Sequence, residues 1–230
     1  DDRRFTAFGL YNPCVALKVD QKMVLNDIDF DDKAKIYVLT GPNRGGKSVI
    51  TCAVGQAQAL CQLGLPVPAA SAVISPVTAI YTHFPTGSEG DGAIEKGRLG
   101  EECDRLNKIF DTLDSHSLIL LDESFSSTGS YEASYIASEV LTGFSMIGCK
   151  CLFSTHLHEL SGQLDEINRK CAAMGGVPID TLVAGIHGSE RSFEITRAKP
   201  DGKSYARDIA EKFGLSYDRI MERAKRNAGR

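Results

Sequence analysis

Along the chain, short unbroken apolar runs end at turn residues, and longer segments with helical spacing lie between them. Ile36-Tyr-Val-Leu-Thr40 is β-rich and halts at Gly41-Pro42, which predicts a buried strand entering a turn. Leu118-Ile-Leu-Leu121 and Cys151-Leu-Phe-Ser-Thr155 predict two more buried strands. Val73-Ile74 and Ala79 to Phe84 predict others, and the loose alternation over 15–30, broken by Asn and Asp, predicts short antiparallel strands. Ser48 to Leu63 has no Pro and is closed by Gly64, a helix pattern. Gly100 to Leu113 places Leu106, Ile109, Phe110 and Leu113 on one helical face, and a further helix is expected from about Tyr131 to Ser145. The glycine-rich, acidic stretch from Thr86 to Gly97 predicts a mobile loop. Leu182–Ile186 and Ser192–Arg197 flank His187-Gly-Ser-Glu190 as a hairpin, and helices are expected at about 204–213 and 217–227, split at Gly214.

Strands alternating with helices predict an α/β sandwich with a mostly parallel central sheet over residues 1–200, and a small helical appendage over 201–230. No internal repeat is visible. There is no long uncharged apolar run, so a soluble chain without membrane contact is expected. The chain opens on Asp1-Asp2 and is expected to be cut from something longer. Seven cysteines without a C-x-x-C pair suit neither a disulfide framework nor a zinc site. Several sit in apolar stretches as small hydrophobes, which points to a reducing compartment, the cytoplasm. A net charge of −4 argues against a domain that grips DNA by itself, because such affinity comes largely from phosphate neutralisation.

The chemistry concentrates at strand ends. Gly41-Pro42-Asn43-Arg44-Gly45-Gly46-Lys47-Ser48 matches G-x-x-x-x-G-K-[ST] in full, between a predicted strand and a predicted helix. Glycines let backbone N–H groups curl around phosphate oxygens, and the helix N-terminus adds a favourable dipole. Lys47 is expected to reach the β- and γ-phosphates of ATP, the Ser48 hydroxyl to ligate Mg²⁺, and Val49 to join the nucleotide contacts. The strand ending in Asp122-Glu123 supplies the partner acids: Asp122 for the Mg²⁺ shell and Glu123 to polarise the attacking water. His156, after the next strand in Phe-Ser-Thr-His-Leu-His-Glu-Leu, is expected to sense the γ-phosphate; His158 is expected at the surface. Leu160-Ser-Gly-Gln163 imitates an ABC-type signature but follows His156, the wrong order, and is expected at a helix terminus. The signature position falls instead near Glu95 to Glu102, a helix entry whose N–H groups could meet a phosphate across a dimer.

These residues resemble one family. Thr40-Gly-Pro-Asn-Arg-Gly-Gly-Lys-Ser48 is similar to the T-G-P-N-x-G-G-K-S loop of MutS proteins, and Ser154-Thr-His156 with Glu159-Leu160 to their T-H-x-x-E-L segment. Val67-Pro-Ala69, Ile74-Ser-Pro76, Ile80-Tyr-Thr82, Ser117 to Glu123, Thr128 with Tyr131, Gly202 to Tyr205 and Ile220 to Ala224 extend the likeness to most of the chain. The resemblance implies an ABC-like P-loop head that binds ATP or ADP with Mg²⁺, dimerises partly through its C-terminal helices, and hydrolyses ATP at composite sites. It also implies that DNA is contacted by domains absent from this chain. Two departures stand out: Gly97 and Arg98 occupy the family's Ser-Thr positions on the capping helix, and Ser124-Phe-Ser-Ser127 replaces a Gly-Arg-Gly pattern. Arg98 is expected to replace the missing contact, acting in trans on the partner's nucleotide as arginine fingers do. Mismatch repair and recombination control remain open as roles, as does a nucleotide-gated dimerisation module with little hydrolysis or the head of another ABC-like DNA ATPase.

Overall fold

The computed structural model describes residues 3–20, 22–31, 33–84, 97–187, 190–200, 211 and 213–228. In chain order the elements are β1 (Phe5–Leu10), α1 (Pro13–Ala16), β2 (Asn26–Asp29), β3 (Ile36–Thr40), α2 (Lys47–Gln62), β4 (Ser71–Ile74), β5 (Ile80–His83) and α3 (Gly97–Phe110). Then follow β6 (Leu118–Asp122), α4 (Ser130–Ile147), β7 (Lys150–Ser154), α5 (His158–Ala173), β8 (Ile179–His187), β9 (Glu190–Arg197) and a last helix, α6 (Tyr217–Ala228).

Six strands form the central sheet in the order β5-β6-β7-β3-β8-β9. All neighbours are parallel except β9, which returns antiparallel on β8. Strands β3, β6 and β7 are buried along their whole length, which is why they read as continuous apolar runs rather than alternating ones. Alternate residues of each strand serve different faces. Ile36, Val38, Ile119, Leu121, Cys151 and Phe153 pack with α3, α4 and α5 on one side. Tyr37, Leu39, Leu118, Leu120 and Leu152 pack on the other side with α2 and a three-stranded antiparallel sheet, β2-β1-β4. The mixed α/β architecture with a mostly parallel sheet is therefore present, as the alternation predicts. Cys149, Cys151 and Cys171 lie in the core as buried thiols.

Two expectations need correction. Residues 15–30 do not form a run of strands: only Asn26–Asp29 is one. Before it, Asn12 caps the short helix α1 by accepting from the amides of Cys14 at 3.0 Å and Val15 at 3.2 Å, with Pro13 at the first helical position. Leu160-Ser-Gly-Gln163 falls at the N-terminal end of α5, as expected, and the buried stripe of Leu160, Leu164, Ile167 and Cys171 carries the helix on through Gly162. Helix α3 starts at Gly97, three residues before the expected Gly100. The loop expected over Thr86 to Gly97 lies outside the described residues apart from Gly97, as does most of the 204–213 helix, while the second C-terminal helix is α6. Among the described residues, no helix is long and apolar enough to cross a membrane.

Candidate functional site

Strand β3 delivers the chain into the glycine loop, and α2 begins at Lys47, with Gly46 as a left-handed N-cap at φ 89°. Glycine is required here for space as well as conformation. A Cβ on Gly41, at φ 134°, would stand 2.7 Å from the Ala184 Cβ, and one on Gly45 would stand 2.9 Å from the Pro42 carbonyl oxygen. Arg44 itself adopts a positive φ of 61°, so the loop's curl is carried by a non-glycine residue too. Sparsely populated conformations of this kind cost on the order of 1–3 kcal/mol each and mark sites where surrounding structure imposes them. Pro42, Gly45 and Lys47 are buried, while Asn43, Arg44 and Ser48 are exposed. The Lys47 Nζ donates to the carbonyls of Gly41 and Pro42, both at 3.1 Å.

Burial pushes the Lys47 ammonium below its usual pKa, the Glu123 and Asp122 carboxylates push it back up, and Arg191 adds to the lowering. Lys47 therefore sits in the field of both acids at the end of β6, Asp122 and the following Glu123. Asp122 is buried and its Oδ1 accepts from the Ser154 hydroxyl at 2.6 Å, a link from β6 to β7. The Glu123 amide donates to the Ser154 carbonyl at 2.8 Å. The chain then leaves the sheet through two left-handed non-glycine residues, Glu123 at φ 47° and Phe125 at φ 66°.

A cavity of about 360 Å³ opens beside the glycine loop. Arg44, Gly46, Lys47, Ser48, Val49 and Glu123 line it, so the structure brings half of the predicted loop, with Val49, together with the acid that follows β6, while Gly41, Pro42, Asn43 and Gly45 do not border it. Its other wall was not legible in the sequence: Asn12, Val15 and Val19 from the α1 region, Lys22, Met23 and Val24, and Phe193 from β9. The Asn12 amide donates to the Val49 carbonyl at 3.2 Å, tying that wall to α2. Asn26 fixes Phe193 by donating to its carbonyl at 3.1 Å and accepting from the Ile195 amide at 2.6 Å. The Arg191 Nε donates to the Asn43 carbonyl at 3.1 Å, so the β8–β9 hairpin braces the glycine loop directly.

A second, smaller cavity of about 120 Å³ shares Glu123 as a lining residue with the first. Asp122, Arg98, Glu102, Arg105 and His83 are among its walls. Arg98 is an exposed residue in the first turn of α3, on the same cavity as Asp122 and Glu123 of its own chain, whereas Gly97 borders neither cavity. The His83 Nδ1 is 2.8 Å from the Ser124 hydroxyl, and burial pushes this imidazole below its ordinary range despite the nearby Glu102 carboxylate. His156 follows β7 by two residues and is exposed, lining neither cavity. The side chain of His158 lies outside the described residues.

The donor set suits a nucleotide with Mg²⁺. Ser48 and Asp122 offer the hard oxygen ligands Mg²⁺ prefers, and Mg²⁺ usually takes only one or two carboxylates besides substrate phosphates. No cluster of three or more His, Cys, Asp or Glu able to hold a metal occurs among the described residues.

This combination of a strand–glycine loop–helix unit and neighbouring strand-end acids on a mostly parallel sheet agrees with sequence comparison. The profile of the family described as MutS domain V matches residues 37–228. The chain belongs to the MutS domain V family. The DNA mismatch repair protein MutS of Roseiflexus castenholzii is 31% identical over 212 residues, covering 88% of this chain and 19% of that protein. MutS of Prochlorococcus marinus strain MIT 9301 is 38% identical over 154 residues, 65% of this chain and 16% of that protein. The probable DNA mismatch repair protein Msh6 of Drosophila melanogaster is 33% identical over 152 residues, 65% of this chain and 12% of that protein. The chain thus spans less than a fifth of the length of these relatives.

Proposed function

We propose that this chain is the ATP-binding and ATP-hydrolysing head, ABC-like in type, of a MutS-like DNA mismatch repair or recombination-control protein. The observation that carries the reading is the shared cavity in which Gly46, Lys47 and Ser48 of the glycine loop meet Glu123, the residue after β6. In this reading the backbone N–H groups of the glycine loop and the start of α2 hold the phosphates, Lys47 compensates their charge, and the apolar wall of Val15, Val19 and Met23 faces the less polar part of the nucleotide. Ser48 and Asp122 would hold Mg²⁺, which when bound neutralises charge on the phosphates. Glu123 orients the attacking water and takes its proton, and Ser154 keeps Asp122 in place. His156 is assigned to sensing the γ-phosphate from the end of β7. Residues 1–200 form the ATPase unit and 201–230 the dimerisation element, and any contact with DNA belongs to other parts of the full protein.

Hydrolysis is the claim most open to test. Glu123→Gln should retain ATP binding and lower turnover at least ~100-fold, because shape survives while the proton acceptor is lost. Equal steady-state rates for variant and wild type would falsify the assignment. The composite site has its own test. Arg98→Ala and Lys47→Ala subunits should each be inactive alone, and mixing them should restore one working site if Arg98 serves the partner's nucleotide. Wild-type turnover by Arg98→Ala alone removes the trans role.

A further inference from the structure

The segment after β6 carries Glu123, and its path is unusual: two left-handed residues in three, neither of them glycine. Such a path persists only where neighbours impose it. The Phe125 side chain is fully buried, a member of the core cluster that also holds residues of α3, α4 and β7, so the segment cannot swing outward without emptying that core position. On its backbone side, Glu102 of α3 accepts from the Phe125 amide at 2.6 Å and from the Ser127 hydroxyl at 3.3 Å. A carboxylate receiving a backbone N–H makes a short, charge-assisted bond, stronger than a neutral one. Both Glu102 oxygens are thus engaged with the segment that carries Glu123.

Glu102 also stands one helical turn beyond Arg98, so the two share a face of α3 and line the same small cavity as Asp122 and Glu123. The helix that carries Arg98 is therefore hydrogen-bonded to the backbone two residues past Glu123. We propose that Glu102 is a positioning residue for Glu123: its two hydrogen bonds set the path of residues 123–128 and couple the placement of α3 to the aim of the Glu123 carboxylate. This rests on the reading of Glu123 as the group that activates water.

The test compares wild type, Glu102→Ala and Glu102→Gln in the whole chain. Gln keeps a side-chain oxygen able to accept the Phe125 amide; Ala does not. Glu102→Ala should lower kcat for ATP by about 10- to 100-fold while KM stays within about twofold, and Glu102→Gln should recover most of the loss. Amide hydrogen exchange supplies a second readout independent of turnover. Exchange at Phe125 should accelerate in the Ala variant and not in the Gln variant, while Leu120 and Phe153 in the sheet keep their protection. Wild-type kcat and wild-type Phe125 protection in Glu102→Ala overturn the proposal. Equal losses in Ala and Gln overturn it as well, since Gln preserves the acceptor. If the wild-type chain binds ATP with Mg²⁺ but does not turn it over, the hydrolysis reading fails by itself, and exchange at Phe125 alone decides whether Glu102 holds this segment.

Discussion

Lys47 and Lys150 occupy opposite ends of the central sheet, and both are buried, at 4% and 2% exposure. Lys47 follows the carboxyl end of β3; Lys150 opens β7 at the amino end, where its neighbour strand begins after Lys35. Burial lowers the pKa of each. At Lys47 the carboxylates of Glu123 and Asp122 oppose the lowering. At Lys150 the like charges of Lys35 and Arg3 reinforce it, Cys149 acts the other way, and the ammonium is pushed down to about 8. A cation buried beside acids sits in a field that favours its charged form, the form that meets an anion. A cation buried beside cations is held at a cost, and its alkyl stem, not its charge, suits the site.

Removing Lys47 should break the functional side of this contrast most sharply. Lys47→Ala should weaken ATP–Mg binding by about 10- to 100-fold, since a charge-assisted phosphate contact is worth about 1.5–3 kcal/mol. Undiminished affinity in calorimetry would sink the role of the glycine loop. Lys150→Met tests the other end and should leave nucleotide affinity unchanged. Because the folded pKa of Lys150 is depressed, both folded and unfolded chains are protonated below pH 8 and the folded state bears the full penalty. Between about pH 8 and the ordinary value of 10.5 the folded chain releases the proton first, so this lysine makes stability rise with pH. The Met variant should therefore be more stable at pH 7 by roughly 1–3 kcal/mol, and the difference from wild type should shrink as pH approaches 10.5. Urea melts at pH 7 and 10 measure both; a constant difference would show that Lys150 does not titrate in this window.

Much of the central sheet was legible because its strands are buried on both faces and end in glycine or acids. Ile36–Thr40, Leu118–Asp122 and Lys150–Ser154 are apolar runs whose termini are the chemistry. Strand β1, Phe-Thr-Ala-Phe-Gly-Leu, was missed, since Gly9 and the exposed Phe8 spoil its alternation. The extent of helix α5 beyond Gln163 was not legible because Ser161-Gly162 and many polar residues dilute a stripe whose spacing is helical throughout. In the site, the glycine loop and Asp122-Glu123 are local patterns, so they could be read. The cavity's far wall and its braces could not. Asn26 meets Phe193 across 167 residues, His83 meets Ser124 across 41, and Glu102 meets Phe125 across 23. No local periodicity encodes such pairs.

The Asn26 clamp has a kinetic consequence. Its amide joins β2, near the start of the chain, to β9 near the end, with the Ile195 contact spanning 169 residues. Closing so long a loop is entropically expensive and belongs late in folding. Phe193 reaches the cavity wall only when that closure is made, although the glycine loop and β6 lie far upstream. During synthesis, the phosphate-binding residues would thus emerge well before the pocket around them is whole, and a fluorescent nucleotide would report the arrival of the final strand.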